Sequence, residues 1–183
     1  MLALEKAFLI GVEGVTEILL VRHADCYRDM TQAEDPPLSA FGRDQAQRLA
    51  RRMQHFKPDL VYSSPFRRAI ETARAISDDV RVDERLVEMP LVITEDGTLD
   101  FKETPESAVK RMRGVMDDVV AEHEGKHVVL VSHAASILAC LTDALHLEPG
   151  NLRLFPYFTS ISTIRVLGDR RMVGSLGDVG HLE

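Results

Sequence analysis

Three short apolar runs, each ending abruptly in polar side chains, constrain this chain more than any other feature. Glu17–Val21 stops at Arg22-His23, Leu60–Tyr62 stops at Ser63-Ser64, and His127–Val131 stops at Ser132-His133. Runs of this length with turn or polar boundaries read as buried strands of a parallel sheet. Helical stretches separate them. Ser39 can cap a helix running to about Phe56, with Ala46, Leu49, Ala50 and Met53 on one face and Gly42 weakening only its first turn. Pro65 fits the first position of a second helix, to about Ser77. Thr104-Pro105-Glu106 opens a third, carrying Ala108, Val109, Met112, Val115, Met116, Val119 and Val120 at helical spacing until Gly125. A fourth runs from Ala134 to about His146. The tail changes character: Ile161–Leu167 and Arg171–Leu176 flank Gly168-Asp169, which predicts a hairpin.

This alternation predicts an α/β fold with three α/β/α layers and a mainly parallel sheet closed by an antiparallel C-terminal edge. At 183 residues and 45% hydrophobic composition, the chain is expected to form one domain over 1–183. A formal charge of -7 and a pI near 5.5 argue against a nucleic-acid or anionic-membrane coat protein. Glu5, Lys6 and Glu13 break the apolar N-terminal stretch, so no signal peptide is expected. The apolar stretch Val128–Leu141 is interrupted by Ser132, His133 and Ser136, short of the roughly 20 residues that cross a bilayer. Cys26 and Cys140 form no C-x-x-C, which suggests neither disulfide framework nor structural zinc. A cytoplasmic protein is expected.

Ligands in open α/β sheets lie beyond the strand C-termini. Arg22-His23, Ser63-Ser64 leading to Arg67-Arg68, and Ser132-His133 therefore converge on one crevice. Two imidazoles and at least two guanidinium groups in an otherwise acidic chain suit a phosphoryl group. Arg22 and one of Arg67 or Arg68 can fork onto phosphate oxygens. A histidine nitrogen, largely unprotonated near neutral pH, can attack phosphorus. The nearby carboxylates Asp25, Asp29, Glu34 and Asp35 lack magnesium or zinc ligand spacing, so no metal is expected. No G-x-G-x-x-G follows a predicted strand, and Gly174, Gly177 and Gly180 have the wrong spacing, so no dinucleotide cofactor is expected either.

Leu20-Val21-Arg22-His23-Ala24, Ser63-Ser64-Pro65-Phe66-Arg67-Arg68-Ala69, Leu86-Val87-Glu88 and Val131-Ser132-His133-Ala134 appear in order. Together they resemble the histidine phosphatase superfamily, whose fold is phosphoglycerate-mutase-like. The resemblance leaves 1–16 as an N-terminal extension. It implies that His23 is the nucleophile, that Arg22, Arg68 and His133 hold the phosphate, and that Glu88 is the general acid and base, with Glu84 and Asp83 as rivals for that role. Arg67 is read as a solvated helix-face residue. The sequence departs from the R-H-G-x-T-x-x-N pattern of such proteins at Ala24, Cys26 and Asp29, and Arg28 is a candidate to take over the phosphate contact of the missing Asn.

These features imply a metal-independent phosphomonoester hydrolase acting through a phosphohistidine on a small phosphorylated substrate. One rival is a phosphoglycerate-mutase-type phosphotransferase. Glu95, Asp96, Asp100 and Glu103 against the single Lys102 speak against it, because they would repel a highly anionic donor. A non-catalytic protein that binds a phosphorylated ligand is the other.

Overall fold

The computed structural model describes residues 3–27, 35–93, 95, 99–149 and 151–183. Chain order gives α1 (Ala3–Ala7), β1 (Thr16–Arg22), α2 (Ala40–Phe56), β2 (Leu60–Ser63), α3 (Arg67–Ile76), β3 (Val80–Val82) and a 3-10 turn at Glu84–Leu86. There follow β4 (Leu91–Ile93), β5 (Leu99–Phe101), α4 (Pro105–Glu122), β6 (His127–Ser132), α5 (Ala134–Ala144), β7 (Ile161–Leu167), β8 (Arg170–Asp178) and a second 3-10 turn at Gly180–Leu182.

Six strands form one sheet in the order β3-β2-β6-β1-β7-β8. β3, β2, β6 and β1 run parallel, while β7 and β8 add antiparallel to β1 as the expected C-terminal edge. Because successive strand side chains point to opposite faces, the apolar runs serve two cores at once. Ile18, Leu20, Val128, Leu130, Ile164 and Val166 pack against Met112, Val115, Met116 and Val119 of α4 and Ile137, Cys140 and Leu141 of α5. The alternate residues Leu19, Val21, Val61, Val129, Val131 and Ile161 pack against Leu49 and Met53 of α2 and Ala69 and Ala73 of α3. The result is three layers. Each fully buried Leu or Ile contributes about 2 kcal/mol of transfer free energy, and a one-residue slip would put the wrong set on each face.

Register fixes where the parallel strands end. Arg22 is opposite Ser132, and Ser63 is opposite Val131. One residue further on, His23 N donates to Ser132 O (3.0 Å) and Ser64 N to Val131 O (2.9 Å). The three polar strand ends therefore share one edge of the sheet.

Several elements depart from the sequence expectation. α3 begins at Arg67 instead of Pro65, because Phe66 is still extended (φ -65°, ψ 136°) and offers no side-chain cap. The Asp35 carboxylate caps instead, accepting from Arg67 N at 2.7 Å. α5 ends at Ala144, and His146, expected inside it, lies beyond with φ of 55°. The β4–β5 hairpin, β3 and the first 3-10 turn were not expected. Gly42 is no mere weak point of α2: a Cβ there would lie 1.8 Å from Asp25 O. Ser39 caps α2 by accepting from Gly42 N at 2.9 Å, and its hydroxyl donates to the Asp25 carboxylate. The start of α2 is thereby seated directly on the segment that follows His23.

Candidate active site

His23 leaves the end of β1 only 5% exposed. Its Nδ1 lies 2.7 Å from Ala24 O, an acceptor only, so Nδ1 carries the proton and donates. The lone pair then sits on Nε2, which accepts from Arg68 Nε at 3.3 Å. This is the tautomer a nucleophile at Nε2 requires.

His133 is the N-cap residue of α5 and is fully buried. Arg68 Nη2 can only donate, so at 3.3 Å the His133 Nδ1 accepts, and Nε2–H donates to Ser64 Oγ at 2.8 Å. Burial, reinforced by His23, Arg68, Arg22 and Arg111, pushes this imidazole well below its usual pKa. With Nδ1 accepting and Nε2–H donating, the ring is arranged as the neutral imidazole. The two imidazole centroids are 5.0 Å apart. Arg68 thus spans both rings with one guanidinium, and its remaining nitrogen Nη1 is 3.4 Å from Asp35 Oδ1.

Arg22 is 5% exposed; its Nη1 donates to Pro156 O at 2.8 Å, and its Cζ lies 3.9 Å from the Phe158 ring centroid and 4.8 Å from that of Phe155. The aromatic contacts hold the cation at the strand end without neutralising it. Arg67 turns away, its side chain 60% exposed and its Nε donating to Glu71 Oε1 at 2.7 Å.

Glu88 follows the first 3-10 turn. Its Oε1 accepts from Met89 N (2.9 Å) and Ser136 N (3.2 Å), with the Ser136 hydroxyl oxygen 3.5 Å away. Burial raises its pKa, opposed by the Ser136 and Met89 backbone donors and by Arg22 and Arg68. Its rivals are placed otherwise. Asp83 is held below the usual carboxylate range by hydrogen bonds from the Arg85 side chain, and Glu84 is exposed. Arg28, Asp29, Glu34 and Asp96 lie outside the described residues. Cys26 pairs through its backbone with Leu38, and Asp25 accepts from the Ser39 hydroxyl.

Sequence reasoning passed over four residues here. Ser64 orients His133, Ser136 holds Glu88, and Arg111 braces the segment before Glu88. Thr159 is the fourth. Fully buried with φ of 57°, it donates its N–H to Arg22 O (3.0 Å) and leans toward His23 O (3.4 Å). A β-branched residue in that region is strained. Its hydroxyl donates to Phe158 O (2.7 Å) and accepts from His181 Nε2 (3.0 Å). Only the serines carried a signal, Ser64 as a strand-end residue and Ser136 three positions after His133.

The charge argument drawn from Met89–Thr104 also needs correcting. Glu103 is paired with Arg111 at 2.8 Å and Asp100 with Lys102 at 2.5 Å, so neither presents an unneutralised charge. A cavity of about 730 Å³ lies between α4 and α5, lined by Met89, Val109, Ala135, Leu138 and Leu147, and neither imidazole lines it. Among the described residues no cluster of three or more His, Cys, Asp or Glu could hold a metal ion, and no helix is long and apolar enough to cross a membrane.

Comparison with known proteins agrees with this geometry. The family model of the histidine phosphatase superfamily (branch 1) matches residues 18–100 and 93–179. A Hydrogenobacter thermophilus protein provisionally named phosphoserine phosphatase 2 is 32% identical over 164 residues, 72% of this chain and 80% of its own. The probable phosphoglycerate mutase GpmB of an Enterobacter species is 27% identical over 205 residues, 91% of this chain and 95% of its own. The phosphoserine phosphatase of Entamoeba histolytica, solved with 3-phosphoglyceric acid, superposes with a TM-score of 0.78 at 23% identity over 92% of this chain and 100% of that one. The strand-end motifs, the phosphoglycerate-mutase-like fold and the sequence match lead to one assignment: this chain belongs to the histidine phosphatase superfamily.

Proposed function

We propose that this protein is a metal-independent phosphomonoester hydrolase of the cytoplasm that works through a phosphohistidine on a small phosphorylated substrate. The observation that carries the reading is the His23 ring: Nδ1 is committed to Ala24 O, so the Nε2 lone pair faces the Arg68 guanidinium. A phosphate drawn to Arg68 and Arg22 is presented to that nitrogen. In the first step Nε2 forms a bond to phosphorus as the bond to the leaving oxygen breaks, and the arginines stabilise the equatorial oxygens. His133 stays neutral, holding Arg68 by accepting at Nδ1 and bonding Ser64 through Nε2–H. Glu88, its pKa raised by burial, donates its proton to the leaving oxygen. The carboxylate so formed then takes a proton from water, which attacks phosphorus and releases phosphate from Nε2.

The mutase alternative keeps the same first step and replaces water with a second hydroxyl. The pairing of Glu103 and Asp100 removes one argument against it, and relatives carrying both names resemble the chain. Wild type and His23→Ala, incubated with an aryl phosphate in excess chelator, test the hydrolase. Turnover that survives chelation and falls roughly 10,000-fold or more in the variant is expected, by analogy with loss of other catalytic nucleophiles. Turnover abolished by chelator, or retained by the variant, overturns the proposal. With phosphoglycerate as substrate, isomerisation outpacing phosphate release would reassign the protein as a mutase.

A further inference from the structure

We propose that Arg111 is the positioning residue for Glu88, setting the acid's reach toward the leaving group from outside the phosphate pocket. The inference rests on the phosphohistidine reading above and deepens it.

Arg111 projects from α4 with its side chain 15% exposed. Its guanidinium has five N–H donors, and each has a partner. Nε donates to Glu103 Oε1 (2.8 Å) and Nη2 to Glu103 Oε2 (2.8 Å), a bidentate pair that fixes the plane of the fork. Nη1 donates to Arg85 O (2.7 Å) and Val87 O (2.8 Å), carbonyls of the segment that delivers Glu88. The second Nη2 donor reaches Ser136 Oγ at 2.9 Å. Ser136 in turn donates its hydroxyl to Val87 O at 2.7 Å and its backbone N–H to Glu88 Oε1 at 3.2 Å. Arg111 therefore grips Glu88 from two sides: through the peptide immediately before it and through the serine that bonds its carboxylate.

The acid sits on a segment whose regular structure ends at Leu86, before it. Unlike His23 and His133, which are placed by strand register, Glu88 has no ladder to fix it. One planar cation bonded to a helix, a 3-10 turn and the start of a second helix provides the missing constraint. Lysine, with three donors on a flexible stem and no fork, cannot reproduce it. The Glu103 partner keeps the arginine's charge from acting on the Glu88 proton as an unneutralised cation.

A displaced acid harms only the step that needs a proton. Phosphorylation of His23 by an alkyl phosphate requires protonation of a poor leaving group, whereas a nitrophenolate departs without it. The test compares kcat/KM, which reports the steps through His23 phosphorylation, for an alkyl and a nitrophenyl phosphate in wild type, Glu88→Gln and Arg111→Lys. Arg111→Lys is expected to lose roughly 100-fold on the alkyl ester and less than about 3-fold on the nitrophenyl ester, the same direction of selectivity as Glu88→Gln. Ser136→Ala, which keeps its backbone donor to Glu88, is expected to show a weaker form of that pattern, and it carries the test if Arg111→Lys does not fold. Equal losses on both esters, or none on either, overturn the positioning role. If wild type shows no chelator-resistant, His23-dependent turnover, the underlying function fails instead, so the two failures are told apart.

Discussion

The two halves of the site are built by different means. The half proposed to hold phosphate, with His23, Arg22 and His133, hangs from adjacent parallel strands, and its spacing follows from the register of β1 against β6. Arg68 joins it from the first turn of α3, where one side chain contacts both imidazoles. The acid half lies past the first 3-10 turn and is held by side chains from α4 and α5. Backbone ladders locate the proposed nucleophile, His23; a hydrogen-bonded network of remote side chains locates the proposed acid, Glu88. Nucleophile placement should therefore resist changes in surface side chains, and acid placement should not.

Within this comparison the largest effect is expected from replacing Arg68, whose side chain contacts both rings. Arg68→Lys keeps the charge but loses the fork, and a fall in kcat/KM of roughly 100-fold is expected for every ester regardless of leaving group. That independence from leaving group contrasts with the acid half, and a leaving-group-dependent loss would blur the distinction. Gly42→Ala attacks the backbone half directly, since its new Cβ must push Asp25 O away from 1.8 Å. A loss of about 3 kcal/mol in urea unfolding is expected, accompanied by a fall in activity. Near-wild-type stability would mean that the segment after His23 yields more easily than the packing implies. The smallest effect concerns Glu88 and pH. Because its folded pKa is raised, the folded state holds this proton more tightly than the unfolded chain, and that contribution to stability is lost as pH rises through the folded value. Glu88→Gln is expected to gain stability relative to wild type from pH 5 to pH 8, seen as a higher urea midpoint. A midpoint difference that is flat with pH would show that the carboxyl is not held protonated by burial.

The same contrast explains how far the sequence could be read. The three central parallel strands, the C-terminal hairpin, most helix faces and the polar strand ends were legible because apolar runs and the rule for strand C-termini are local signals. Ser39, Thr104 and Gly168 announced their caps and turn as expected. Illegible features depend on contacts distant in sequence. Nothing near Phe66 indicates that Asp35 will cap α3 and so shift its start. Nothing near Glu103 reveals that Arg111, eight residues on, neutralises it, and counting charges along Met89–Thr104 was therefore misleading. Choosing Glu88 over Asp83 needed the resemblance, because what separates them physically is Arg85 clasping one and Ser136 the other.

Thr159 connects the antiparallel edge of the sheet to the main chain at the candidate nucleophile. Its backbone N–H ties the chain just ahead of β7 to the carbonyls of Arg22 and His23, and its hydroxyl ties that point to His181 beyond β8. The main chain at His23 is therefore moored on both sides, to β6 through Ser132 O and to the C-terminal hairpin through a threonine at a positive φ.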